Sequence, residues 1–439
     1  MTEGWLSMKN TKKLVVISID ALVSEDLKYL STLPAFGNFM ETGARVEHIR
    51  TIYPSSTYPA HTSMVTGAYP GKHGIINNEE LQIGKKYGDW NWFHKGVRIP
   101  DIFEAAKKAG LATASVFWPV TGCHPYIDYL IDEYWPQWDG DDAKSAFLRS
   151  GTTEELFEKV VSRYINGLKI RTHPQTDNFV VDCACDIIRA YKPDLVMLHT
   201  GNIDAYRHNT GVFSARVTQG LQEVERWLEQ LISATKNAGV FEDTNFVVTS
   251  DHGQLNITRS IHLNVLLKEA GFISANAQGE LCDWQAYCKS AGLSAQIYLK
   301  DPNNRNIYER LYAFLCSLKD EQVYGISEVY TTEEIDHLEH LKDDFSFVVE
   351  TDGYTSFGDN WMRPLIDSFT ASDYLSGKAN GGHLPHKGPQ PVFLLNGPDI
   401  KKGIIIDHDL IINEAPTYAK LLGIHLPDAD GVCMDFLLK

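Results

Sequence analysis

The sequence predicts an α/β fold, with a mostly parallel central sheet covered by helices on both faces. Two patterns carry this expectation. Short, continuous apolar runs at residues 14–19, 112–118, 194–199, 245–249 and 391–396 alternate with longer segments of helical periodicity at 102–109, 178–190, 215–238 and near 414–422. Buried parallel strands joined by crossover helices have that rhythm. Several of the runs also end close to a carboxylate or a histidine, and ligands of such sheets gather beyond the carboxyl ends of the strands.

The first run, ending Val15-Val16-Ile17-Ser18-Ile19-Asp20, sets a carboxylate at a strand end. Alone, Asp20 suits a turn cap as well as a ligand. Next comes Tyr53-Pro54-Ser55-Ser56-Thr57-Tyr58-Pro59-Ala60-His61, which predicts a helix with Pro59 in its first turn and Gly67 at its end. A hydroxyl at Thr57 would face unpaired N–H groups and the positive end of the helix dipole, a setting that favours a phosphate and a developing alkoxide. The same place also suits a plain N-cap. Residues 79 to about 100 and 119–145 are loop-rich, carry Trp90, Trp92, Phe93, Tyr134, Trp135 and Trp138, and read as additions to the core.

After the run at 194–199, Asp204 and His208 stand four residues apart. On a helix that spacing aims both side chains at one point. The run at 245–249 leads into Asp251-His252-Gly253, adjacent oxygen and nitrogen donors with a glycine to relax the turn. A mixed α/β segment then interrupts the pattern until Gly381-Gly382-His383, followed by Leu384-Pro385-His386, where either histidine could serve. The expected organisation is a core of 12–255 with 381–439, and an inserted cap at 256–380.

At 439 residues and 43% hydrophobic content the chain can bury a sizeable core. Its net charge of -17 argues against a nucleic-acid polymer or an anionic membrane as partner through bulk charge. The opening MTEGWLSMKNTKK lacks a basic start followed by an apolar stretch, and no run reaches spanning length. The seven cysteines are scattered, and Cys183-x-Cys185 has neither zinc nor thioredoxin spacing. A cytoplasmic protein with free thiols is expected.

Taken together, Asp20, Thr57, Asp204, His208, Asp251, His252 and one further histidine divide into two sites of mixed nitrogen and oxygen donors. That mixture suits zinc, with manganese or iron as alternatives. The joint arrangement resembles the alkaline phosphatase superfamily, most closely its nucleotide pyrophosphatase/phosphodiesterase branch, over residues 14–78, about 194–255 and 381–398. The resemblance implies two zinc ions, one held by Asp204, His208 and His383, the other by Asp20, Asp251, His252 and the Thr57 oxygen. It further implies Thr57 as nucleophile, a phosphothreonine intermediate and a phosphoryl oxygen held by the Asn78 amide. Tyr58 would stack on the base of a small phosphorylated substrate, a nucleotide or other phosphodiester.

The chain departs from the branch at Leu384, which replaces a glycine after the last histidine and keeps His386 in contention. Thr57-Tyr58-Pro59-Ala60-His61 also lacks the Cys/Ser-x-Pro-x-Arg pattern of sulfatases. No arginine stands near the nucleophile in the sequence, which favours diesters over monoesters. The alternatives are a phosphomonoesterase and cleavage of a C–P bond, as in phosphonoacetate hydrolase; the absence of lysine or arginine from 109 to 143 weighs against the latter.

Overall fold

The computed structural model describes residues 12–85, 88–367 and 377–439. The opening segment to residue 11, residues 86–87 of the first loop-rich region and 368–376 of the expected insert lie outside the described residues. Chain order gives strands β1 (Lys13–Ile19), β2 (Ala44–Arg50), β3 (Thr113–Val116), β4 (Tyr129–Ile131), β5 (Leu195–Thr200) and β6 (Thr244–Thr249). Then follow β7 (Ala286–Ser290), β8 (Ser294–Leu299), β9 (Ile326–Thr331), β10 (Phe347–Thr351), β11 (Phe393–Asn396) and β12 (Ile404–Leu410).

An eight-stranded sheet runs β12-β2-β11-β6-β1-β5-β3-β4. Among its described pairings only those of β11 are antiparallel. Each apolar run seen in the sequence is a strand of this sheet. The strands without such a run are β2, β4 and β12, which are short or lie toward the margins. There one face meets solvent, so the residues need not be continuously apolar: β2 mixes buried and half-buried positions, and β12 mixes half-buried and exposed ones. Residues 119–145, expected to be an addition, in fact supply the edge strand β4.

Side chains alternate across a strand, so β1 feeds both faces. Val15, Ile17 and Ile19 pack with helices Gln175–Tyr191 and Ala215–Ala238. Leu14 and Val16 pack with Thr57–Thr66, Ile102–Lys108 and Glu414–Leu422. The helix Ala215–Ala238 shows why these segments are helical. Val217, Leu221, Val224, Leu228 and Leu231 recur at three- and four-residue spacing and are buried. Ser214 caps its start by accepting from Val217 N, and left-handed Gly239 (φ 72°) ends it. Each such leucine contributes roughly 1.5–3 kcal/mol on burial.

The interrupting segment builds a different layer. Four of its strands form an antiparallel sheet in the order β7-β8-β10-β9. They enclose a separate apolar cluster with Leu263, Phe272, Ile297, Leu315 and Phe347. Polar contacts seam this layer to the first. Tyr53 donates its hydroxyl to Glu350 (2.8 Å), and Asn77 donates to Gln296 (2.7 Å) and to the Ser290 carbonyl (2.9 Å). Among the described residues no helix is long and apolar enough to cross a membrane.

Candidate active site

The carboxyl ends of β1, β5 and β6 are tied together by backbone bonds. Asp20 N donates to Thr200 O (2.9 Å), and Ala21 N donates to the Asp251 carboxylate (3.1 Å). Asp20 and Asp251 therefore converge although they are far apart in the chain, because β1 and β6 are neighbours in the sheet. Helix Asn202–Thr210 follows β5 at once, and within it Asp204 Oδ2 lies 3.3 Å from His208 Nε2.

Thr57 is the first residue of helix Thr57–Thr66; Ser56 is the N-cap, and its side chain makes no capping bond. The Thr57 hydroxyl lies 3.2 Å from His252 Nε2 and 3.5 Å from Asp20 Oδ2. His252 Nε2 is in turn 3.4 Å from both Asp20 Oδ1 and Asp251 Oδ2. Single donor atoms of Asp20, Asp204 and His252 all fall within 4.8 Å of one another. This group crosses the two expected coordination sets: Asp204 belongs to one, Asp20 and His252 to the other.

His383 is buried on the loop facing these strands, outside that tight group, while His386 is exposed. Gly388 has to be glycine: a Cβ there would come 2.7 Å from His383 Nε2.

The histidines share one hydrogen-bond arrangement. Nδ1 of His208 donates to Ala379 O (2.7 Å), that of His252 to Gly253 O (3.0 Å) and that of His383 to Leu384 O (2.8 Å). A carbonyl can only accept, so each Nδ1 carries the proton and each Nε2 keeps a lone pair. That is how metal-ligating histidines are held. Asp20 Oδ1, Asp251 Oδ2 and His383 Nε2 are buried acceptors with no hydrogen-bond donor. Leaving such a group unsatisfied costs about 1–3 kcal/mol, so a clustered set of lone pairs fits a cation.

Electrostatics agree. Burial, then the charges of Asp204 and Asp251, push the Asp20 carboxyl well above its usual range. Burial works against ionisation of Asp204 too, but His208 beside it holds that carboxyl well below the usual range. Burial also lowers His383 to about 4, which keeps the ring in its neutral, ligating form. Carboxylates this crowded ionise together only with positive charge among them.

Groups around Thr57 are already committed to one another. The helix start offers few free donors, because Tyr58 N donates to Asn78 Oδ1 (2.9 Å) and Pro59 has no N–H. That bond fixes the orientation of Asn78 and leaves its NH2 end for the cavity it lines. Tyr58 lines the same cavity, yet its ring is packed edge-on against Trp90 (5.1 Å between centroids) and its hydroxyl is bonded to Glu133 (3.2 Å).

The cavity measures about 740 Å³ and contains Asp20, Thr57, Asn78, Asp204, His208 and His252. Glu133, Arg171, His173, His199 and Lys289 also line it. None of these belongs to a motif, and each arrives from a loop, a strand end or the second layer, so the sequence held no local signal for them. The absence of an arginine near the nucleophile holds only along the chain; in space Arg171 shares the cavity with Thr57. Burial raises the Glu133 carboxyl to about 7.

Known proteins resemble this chain in sequence and in fold. The family described as type I phosphodiesterase/nucleotide pyrophosphatase matches residues 14–371. Ectonucleotide pyrophosphatase/phosphodiesterase family member 3 of Bos taurus is 27% identical over 249 residues, covering 55% of this chain and 24% of the relative. A Caenorhabditis elegans ectonucleotide pyrophosphatase/phosphodiesterase is 24% identical over 329 residues, covering 73% and 37%. The chain thus spans about a quarter of the length of the mammalian relatives it matches. Among solved structures, murine ectonucleotide pyrophosphatase/phosphodiesterase 5, in an inactive substituted form in complex with AMP, superposes with a TM-score of 0.66 at 19% identity. That likeness covers 98% of this chain and 100% of the other. The human counterpart gives 0.68 at 18% identity, again over 98% of this chain and 100% of the other. The likeness is one of fold.

Proposed function

Because this chain belongs to the type I phosphodiesterase/nucleotide pyrophosphatase family, we propose that it hydrolyses phosphodiester or phosphoanhydride bonds, with Thr57 as nucleophile and two metal ions. The observation that carries this reading is the Thr57 hydroxyl standing 3.2 Å from His252 Nε2, at the mouth of a buried set of carboxylate and imidazole lone pairs. Asp204, His208 and His383 would hold one ion; Asp20, Asp251, His252 and the Thr57 oxygen would hold the other. Zinc suits these donors best, with manganese or iron as alternatives. Such ions, when bound, acidify the nucleophilic hydroxyl and neutralise charge on the phosphoryl and leaving-group oxygens.

The chain's own groups do the rest. Thr57 Oγ1 attacks phosphorus in line with the departing oxygen, and the Asn78 NH2 donates to a phosphoryl oxygen as charge builds there. Water then attacks the phosphothreonine ester and restores the hydroxyl. The AMP complex of the murine relative supports a nucleotide as one arm of the substrate. A second reading, cleavage of the C–P bond of a carboxylate-bearing phosphonate, gains from Arg171, which brings into the cavity the cation such a carboxylate needs.

The test is hydrolysis of the nitrophenyl ester of thymidine monophosphate against nitrophenyl phosphate by the zinc-loaded protein, each with Thr57→Ala. A diester preference that vanishes in the variant supports the proposal. Diesterase activity that survives loss of Thr57 would sink it.

We further propose that 12–255 with 381–439 form the catalytic core and that 256–380 is an insert walling the cavity, a division supported by its separate apolar cluster. Limited proteolysis that releases fragments cut elsewhere would contradict it. A cytoplasmic setting is proposed on the strength of seven free cysteines, and recovery of the protein outside the cells that make it would overturn that.

A further inference from the structure

The segment from Arg171 to Asp177 plays no part in the mechanism above, yet Arg171, Thr172, His173 and Thr176 all line the cavity. The Arg171 guanidinium lies 5.5 Å from the ring centroids of both Trp90 and Trp135. Trp90 continues that wall to Tyr58, next to the nucleophile. A guanidinium within cation–π reach of two indole rings is anchored and weakly hydrated, and it carries a fork of donors matched to phosphate or carboxylate oxygens. His173 is oriented from behind. Its Nδ1 donates to Asp177 Oδ2 (2.7 Å), while Asp177 Oδ1 accepts from Gly201 N (2.8 Å) at the turn out of β5. With Nδ1 committed, Nε2 is the end of the ring left for the cavity. It lies over Gly201, where a Cβ would come within 3.8 Å of it. Lys289, which also lines the cavity, is bonded to the Glu79 and Asp359 carboxylates.

Resting on the hydrolase reading, we infer that Arg171 and His173 form a second anion subsite beside the reacting phosphorus. It binds a negatively charged group that the substrate carries beyond the scissile phosphate. Substrates with such a group are then preferred over diesters whose second arm is neutral. The distal phosphate of a phosphoanhydride and the carboxylate of a phosphonate share that chemistry, and the assay separates them.

The experiment compares kcat/KM of the zinc-loaded protein, Arg171→Ala and His173→Gln for ATP, for phosphonoacetate and for the neutral-armed nitrophenyl ester of thymidine monophosphate. Removing Arg171 should lower the ratio of the anionic substrate to the nitrophenyl ester by about 10- to 100-fold, the scale of a lost charge-assisted hydrogen bond. The substrate whose ratio falls, ATP or phosphonoacetate, identifies the anion. An unchanged ratio, or an equal loss on every substrate, overturns the subsite.

A binding measurement keeps the inference separate from the hydrolase reading. Calorimetry of the zinc-loaded protein with inorganic pyrophosphate and with inorganic phosphate needs no turnover. A pyrophosphate-over-phosphate preference that drops about tenfold in Arg171→Ala supports the subsite even in an inactive protein. A preference that Arg171→Ala leaves intact overturns it.

Discussion

The two walls of the cavity are built on different principles. On one wall, Asp20 and Asp204 each follow a strand of the central sheet within a few residues, with Asp251 fully buried just past the end of β6, and the parallel ladder between β1, β5 and β6 sets their spacing. On the other, Trp90, Glu133, Arg171, His173 and Lys289 come from loops and from the inserted layer. Side-chain contacts hold them there: the Trp90–Trp135 edge contact at 5.9 Å, the His173–Asp177 bond and the Lys289 ion pairs. Groups that must meet a reacting atom closely are best carried on rigid elements, while selection among substrates can sit on loops that vary. The first wall should therefore govern turnover and metal content, and the second selectivity and stability.

The strongest way to break that contrast is Thr57→Ala. Activity should fall by about a thousandfold or more, with zinc content, read by mass spectrometry, largely retained. A variant that keeps its activity would move the nucleophile off the first wall. Lys289→Met comes next. It leaves Glu79 and Asp359 facing each other in a buried seam, and destabilisation of about 3–5 kcal/mol is expected in denaturant titration. A change under 1 kcal/mol would mean that the two layers do not depend on this contact.

The seam can also be read through pH. Burial raises Glu350 to about 7, against Lys387, Tyr53 and Leu384 N, which pull it down. The folded protein thus holds a proton there that the unfolded chain, titrating near 4.5, releases. Its contribution is complete below about pH 4.5 and is lost as pH rises through about 7, up to about 3 kcal/mol in all. Melting temperature should fall over that window, and Glu350→Gln should flatten the fall. An identical slope in the variant would assign the effect elsewhere.

The smallest effect sharpens the first wall. His383→Gln should weaken binding of one zinc by about 10- to 100-fold, whereas His386→Gln should leave zinc content and turnover within about twofold. The reverse pattern would exchange their roles.

Much of the first wall was legible in the chain. Asp20, Asp251-His252 and Asp204-x-x-x-His208 sit beside apolar runs long enough to mark a strand, and Thr57 sits at a helix start marked by Pro59 and Gly67. Strand, turn and helix start are local events, decided by residues within one or two turns of each other, so the periodicity of the chain exposes them. Composition likewise determined that the protein has a large core and an acidic surface.

Tertiary structure alone decided the rest. It ran β11 against its neighbours, placed β2 and β12 where half-solvated margins leave no continuous apolar run, and added β4, whose three residues are too few to mark a strand. It drew Asp204 toward Asp20 and His252, and set the tautomers of His208, His252 and His383 through backbone carbonyls. It also brought Arg171, His173 and Lys289 to the side of Thr57. These are contacts between segments distant in the chain. They depend on how whole layers pack, and a lone cation or imidazole in a loop carries no local period that would announce the cavity it faces.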